Sequence, residues 1–106
     1  MRASILAAVA AATFAAAPAL AAEHVVQMEN IAYAPAELRA KVGDTVRFVN
    51  ADGTNHAVFV ATAGHGVDLG MQKPKAETKL LLGKEGRFEV ECVNHPNMRL
   101  TVIVAK

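Results

Sequence analysis

The sequence predicts an all-β domain, a two-sheet sandwich, preceded by an N-terminal export signal. Three observations predict it. Beyond residue 21, apolar residues recur with period two in short segments, the pattern of half-buried strands. Gly-Asp, Asp-Gly and glycine-rich stretches separate those segments as turns. No segment of useful length carries a helical period, and about seven short strands spaced by turns suit two packed sheets.

Arg2 supplies a short positive region, an alanine-rich apolar run follows from Ile5 to Ala17, and Pro18-Ala19-Leu20-Ala21 ends in a small-x-small cleavage signal. A membrane anchor fits less well, because a spanning helix needs roughly 20 strongly apolar residues and alanine is only mildly apolar. The reading is a signal peptide over 1–21 and one domain over 22–106, with cleavage after Ala21 or, as the alternative, after Ala22. Export to a periplasm follows, with no stable membrane insertion.

Val25 to Met28 is a short apolar start. Ile31 to Pro35 is a bend, since Pro35 bars a central strand. In Glu37 to Val42, Leu38, Ala40 and Val42 share one face, with Glu37, Arg39 and Lys41 on the other. Gly43-Asp44 turns the chain into Thr45 to Asn50, with Val46 and Phe48 inward. Asp52-Gly53 marks another reversal before His56 to Val60. The stretch from Ala61 to Pro74, with Gly64, Gly66 and Gly70, reads as a loop. Lys75 to Leu82 resumes strand character, Gly83 to Gly86 turns, and Arg87 to Cys92 places Phe88, Val90 and Cys92 on one side. Leu100, Val102 and Val104 form the inward face of the last strand.

Composition bounds the function. The chain has 11 Lys and Arg against 10 Asp and Glu, and losing Arg2 with the leader leaves the domain formally neutral. That argues against a nucleic-acid binder, which needs a basic surface. The domain is near the lower size at which one core suffices without disulfides or metal. Its single cysteine allows no internal disulfide, and a free thiol in an oxidising compartment is a liability unless it is buried or metal-bound.

That cysteine sits in Cys92-Val93-Asn94-His95-Pro96-Asn97-Met98, a C-x-x-H-x-x-M loop between two strands. A thiolate, an imidazole and a thioether make a soft donor set suited to copper rather than to magnesium or calcium. His56, opening a strand after a loop, can supply a second imidazole. Two His and one Cys in a trigonal plane with a distant axial Met form an electron-transfer copper site. His56, Cys92, His95 and Met98 are therefore the candidate ligands, with one copper ion as cofactor. Three ligands on one loop and one on a neighbouring strand give a rigid geometry with no open position for a substrate, so the chain is not read as an enzyme. Structural zinc fits poorly, because closed zinc sites favour more cysteine. A cysteine hydrolase would need a base oriented by a third group and an oxyanion hole.

Tyr33-Ala-Pro-Ala-Glu-Leu38, Val42-Gly-Asp-Thr-Val46 leading to Phe48-Val-Asn50, His56 and the Cys92–Met98 loop together resemble the cupredoxins over essentially the whole domain. The short spacing before Met98 is most similar to the amicyanin branch; pseudoazurins and plastocyanins use a longer gap. The resemblance implies a Greek-key β-sandwich and a mononuclear type 1 copper that shuttles single electrons between periplasmic redox proteins. Two departures stand out. Ala57 replaces the Asn that ordinarily follows the first histidine ligand and ties the ligand loops together, so that support is either thinner here or comes from Asn55 or Asn94. Leu100 stands where a glycine commonly follows the loop.

The expected partner is a redox protein such as a dehydrogenase, a c-type cytochrome or a terminal reductase. It would meet a monomer at the solvent edge of His95, near Pro96 and Asn97. A copper carrier or buffer without an electron-transfer role is the alternative. His65, between two glycines, reads as exposed and unliganded, and Met71 as core or apolar rim. Lys73, Lys75 and Arg99 read as a solvated face able to steer an acidic partner. If cleavage leaves Ala22-Glu23-His24 at the terminus, an amine, two amides and an imidazole could form a second, square-planar Cu(II) or Ni(II) site.

Overall fold

The computed structural model describes residues 20–106; the greater part of the predicted signal peptide, 1–19, lies outside the described residues. Nine strands run in order: β1 (Glu23–Met28), β2 (Tyr33–Ala34), β3 (Glu37–Lys41), β4 (Thr45–Asn50), β5 (His56–Val60), β6 (Val67–Gln72), β7 (Glu77–Leu81), β8 (Gly86–Glu91) and β9 (Arg99–Ala105). They form a four-stranded sheet in the order β2-β1-β4-β7 and a five-stranded sheet in the order β3-β9-β8-β5-β6. The β1–β4 and β3–β9 pairs are parallel and the remaining pairs antiparallel. This is the all-β, Greek-key sandwich that the resemblance implies, and no helix interrupts the described residues.

The two sheets close over one core. Alternation places Val26 and Met28 of β1 with Val46 and Phe48 of β4 on one side. Leu38 and Ala40 of β3, Phe88 and Val90 of β8, and Leu100, Val102 and Val104 of β9 come from the other. The Tyr33 ring meets Phe48 edge to face at 6.3 Å and 74°. Pro35 sits just past β2, which is an edge strand and so tolerates the missing donor.

Four expectations need correction. The bend over Ile31 to Pro35 contains a two-residue strand, β2, paired with β1. Val42 is 43% exposed rather than inward: β3 ends at Lys41, and the chain peels off into the Gly43 turn with the Val42 N–H on Ala105 O. The stretch 61–74 is not all loop, because Val67–Gln72 forms β6 at the open edge of the larger sheet. Its signature is blurred by a bulge. Val58 pairs with Gly70 but Phe59 with Asp68, leaving Leu69 as an extra residue, and Gly70 takes φ +78° beside it. His65 is half-buried rather than exposed. It stacks on Phe88 at 5.2 Å and 22°, directly over Gly86, where an added Cβ would come within 2.7 Å of its Nε2.

Candidate metal centre

β5 is buried along nearly its whole length, with His56 fully buried at its first position. The loop before it is pinned from within. Asn50, also fully buried, donates Nδ2 to Thr54 O and Gln72 O, both at 2.9 Å, and accepts the Asp52 N–H at 3.0 Å. Cys92 follows β8 directly and continues the inward alternation of Phe88 and Val90, leaving it 3% exposed. Its loop is a pair of successive turns: the His95 N–H meets Cys92 O at 3.1 Å and the Met98 N–H meets His95 O at 2.9 Å. Met98 is buried at the loop's end.

These elements bring His56, Cys92 and His95 together. The two Nδ1 atoms are 3.2 Å apart. Cys92 Sγ lies 3.5 Å from His95 Nδ1 and 4.0 Å from His56 Nδ1. A trigonal metal bonded at ~2.0 Å to nitrogen and ~2.3 Å to sulfur would space its donors roughly 3.5 to 3.7 Å apart, so the triangle fits an ion. Soft thiolate with two imidazoles selects copper by donor chemistry as well. His95 alone of the three is not buried. Its Nδ1 faces the cluster while the residue stays part-exposed, flanked in the chain by exposed Val93, Pro96 and Asn97.

The surroundings set protonation. Asp52 Oδ2 lies 2.7 Å from His56 Nε2. A carboxylate only accepts, so Nε2 carries the proton and, in the neutral ring, Nδ1 keeps its lone pair toward the cluster. Asp52 itself is seated by the Asn30 N–H at 2.7 Å and the Ile31 N–H at 2.9 Å. The Ile31 N–H, burial and the bond to His56 are the leading influences on its carboxyl, and their balance holds it below the usual carboxylate range. The Ala57 N–H points at Cys92 Sγ at 3.2 Å, and Ala57 O accepts from the buried Tyr33 hydroxyl at 2.7 Å.

With Ala57 lacking a side-chain amide, the tie between the two ligand segments comes from Asn94. Its Nδ2 donates across to Asn55 O at 3.3 Å, while within its own loop its Oδ1 accepts from the Cys92 thiol at 2.7 Å, a bond that the thiolate form lacks. Asp52 and Asn50 were not visible as site residues in the sequence. The only signal was the four-residue spacing of Asp52 and His56, which also suits a plain turn.

Other candidates lie elsewhere. Met71 is 47% exposed and pairs with Ala57 across the β5–β6 ladder, so it belongs to the rim and not the core. Arg99 is engaged by Glu89 at 3.0 Å and Glu91 at 3.9 Å, while Lys73 and Lys75 are exposed. His24 lies in β1 with Nε2 on Asp44 Oδ2 at 2.8 Å, its backbone paired with Val46.

Comparison with known proteins agrees with the geometry. The family of copper binding proteins of the plastocyanin/azurin type matches residues 20–105. The chain is 36% identical over 94 residues to amicyanin of Paracoccus denitrificans, covering 86% of this chain and 72% of that one. It is 32% identical over 89 residues to the methylamine utilization protein MauL of Methylorubrum extorquens, covering 83% and 78%. Among solved structures, a copper(I) form of an amicyanin variant superimposes with a TM-score of 0.73 at 32% identity, over 86% of this chain and 90% of that one. The chain belongs to the plastocyanin/azurin family of copper-binding proteins, the cupredoxins, and its cofactor is copper.

Proposed function

We propose that this protein is a periplasmic one-electron carrier whose type 1 copper is held by His56, Cys92 and His95, with Met98 as the weak axial ligand. The observation that carries the reading is the convergence of two Nδ1 atoms and one Sγ within 4.0 Å of one another on two rigidly braced segments. Copper supplies the one-electron couple when bound. The protein's part is to hold the donors. Asp52 keeps the His56 proton on Nε2, the Ala57 N–H faces the sulfur, and the buried sandwich excludes water from the Cys92 side. A frame braced in this way changes little between oxidation states, which favours rapid transfer and leaves no open position for catalysis.

The partner would be a redox protein such as a dehydrogenase or a c-type cytochrome, docking as one molecule on the outward edge of His95. Val93 is 66% and Met71 47% exposed, and with Pro96 they would form a small apolar contact bordered by polar Asn97. Transient redox encounters bury less than roughly 1,200 Å², which suits fast exchange. Removal of the leader after Ala21 would deliver the 22–106 domain to the periplasm. Among the described residues no helix is long and apolar enough to cross a membrane.

The test is stopped-flow oxidation of the reduced, copper-loaded domain by a c-type cytochrome, together with copper retention against a chelator. Rapid exchange that slows when Val93 is replaced by Glu, with copper retained, supports the carrier. Copper that passes readily to the chelator without electron exchange would make the protein a copper buffer instead.

A further inference from the structure

Asp44 stands at the far end of β4 from Asn50, in the Gly43-Asp44 turn, and plays no part in the metal centre. It is one of few buried polar residues, 7% exposed. Both carboxylate oxygens are used. Oδ2 accepts from His24 Nε2 at 2.8 Å and from the Lys41 N–H at 3.0 Å, while Oδ1 accepts from the Ala22 N–H at 2.9 Å. Ala22 is also gripped by its carbonyl, which takes the Thr45 N–H at 3.0 Å. Just before it the hold ends: Ala21 is exposed and Leu20 is 91% exposed.

We propose that Asp44 is the receptor for the chain's own processed N-terminus. The inference rests on the export reading above. Hydrolysis of the Ala21–Ala22 bond by a leader-removing peptidase breaks one C–N bond. Water supplies hydroxide to the Ala21 carbonyl carbon and a proton to the Ala22 nitrogen, which becomes an α-ammonium once it takes a further proton from solvent. That nitrogen already lies at hydrogen-bond distance from a seated carboxylate oxygen. The amide offers one N–H and no charge; the ammonium offers three and a full positive charge, and charge-assisted bonds are roughly twice as strong.

Two consequences follow. Cleavage one residue later would remove both the donor to Asp44 and the acceptor for Thr45, so the receptor favours Ala22 as the first residue of the mature fold. The full strength of the contact also exists only after processing, so the exported, trimmed chain is more stable than its precursor. The ammonium and the His24 ring would share Asp44, which would compete with an N-terminal chelate for both groups.

The test compares the domain beginning at Ala22 with a free amine, the same chain N-acetylated at Ala22, and the chain beginning at Glu23, each in its wild-type and Asp44→Asn forms. Urea unfolding is read for each. Acetylation keeps one N–H but removes the charge, and should lower the folding constant roughly fivefold, the gap between neutral and charged hydrogen bonds. The Glu23 start should lose more, and Asp44→Asn should erase the acetylation effect. Equal stability of the free and acetylated wild-type chains would overturn the proposal, a comparison that stands even if Asp44→Asn fails to fold. Intact mass of the exported protein reads the export premise separately. Ala22 as first residue supports the receptor, Glu23 as first residue overturns it, and an uncut chain overturns the export reading.

Discussion

The Asp52 carboxylate meets His56 Nε2 at 2.7 Å, four residues apart in sequence, while the other nitrogen of the same ring faces Cys92 and His95. The loop between β4 and β5 therefore both brings His56 to the cluster and chooses its tautomer. Asp52→Asn removes the charge behind the ring and weakens its basicity. Outer partners of metal-bound histidine contribute about 10- to 100-fold in affinity, so a loss of about tenfold in copper affinity is expected by competition titration, with a rise in reduction potential. Unchanged affinity and potential would mean that Asp52 serves only the Asn30–Ile31 turn.

The Tyr33 hydroxyl braces the same strand from behind. It donates to Ala57 O at 2.7 Å, and burial pushes its own ionisation well above the usual tyrosine range. Tyr33→Phe leaves a buried carbonyl without its donor and should cost about 1–3 kcal/mol, read by urea unfolding of the apo-protein. Because Ala57 also presents its N–H to Cys92 Sγ at 3.2 Å, the copper absorption maximum should shift in the same variant.

Core packing gives a third expectation. Phe48 is fully buried between the sheets and packs edge to face on Tyr33. Phe48→Ala should destabilise by about 3–5 kcal/mol, without changing the positions of the metal donors once folded. Chemical denaturation with and without copper checks this: both forms should lose stability together.

Acid sensitivity has a named source. His24, then the Ala22 and Lys41 backbone N–H groups, hold the Asp44 carboxyl down to about 2 from an ordinary value of 3.8. A carboxyl depressed in the folded state contributes stability that is whole above its unfolded value and is lost as pH falls through the folded one. Stability of the wild-type domain should therefore decline between about pH 4 and pH 2. Asp44→Asn should be flatter over that window, as followed by thermal unfolding at each pH.

Much of this architecture was legible in the residues. Leu38 and Ala40, Phe88 and Val90, and Leu100, Val102 and Val104 show their alternation because each strand has one wet and one dry face. The Cys92–Met98 loop shows its candidate donors by spacing, and the fold brings Cys92 and His95 of that loop beside His56. Legibility failed where that two-sided rule failed. β6 carries a bulge at Leu69 and glycine at position 70, so its period is broken. Val42 follows the alternation in sequence but sits one residue past the end of its strand. His65 looks like a loop residue flanked by glycines, yet the ring finds Phe88 through a contact no local pattern announces. Asp52 is the instructive case: a turn-forming aspartate and an orienting aspartate are the same letter, and only the fold shows the ring nitrogen beside it.

The most direct measurement is a visible absorption spectrum of the domain titrated with Cu(II), alongside Cys92→Ala. The account predicts an intense thiolate-to-copper charge-transfer band that saturates at one copper per chain, bleaches on reduction and is absent in Cys92→Ala. Copper binding without that band, or a band that survives the loss of Cys92, would contradict it.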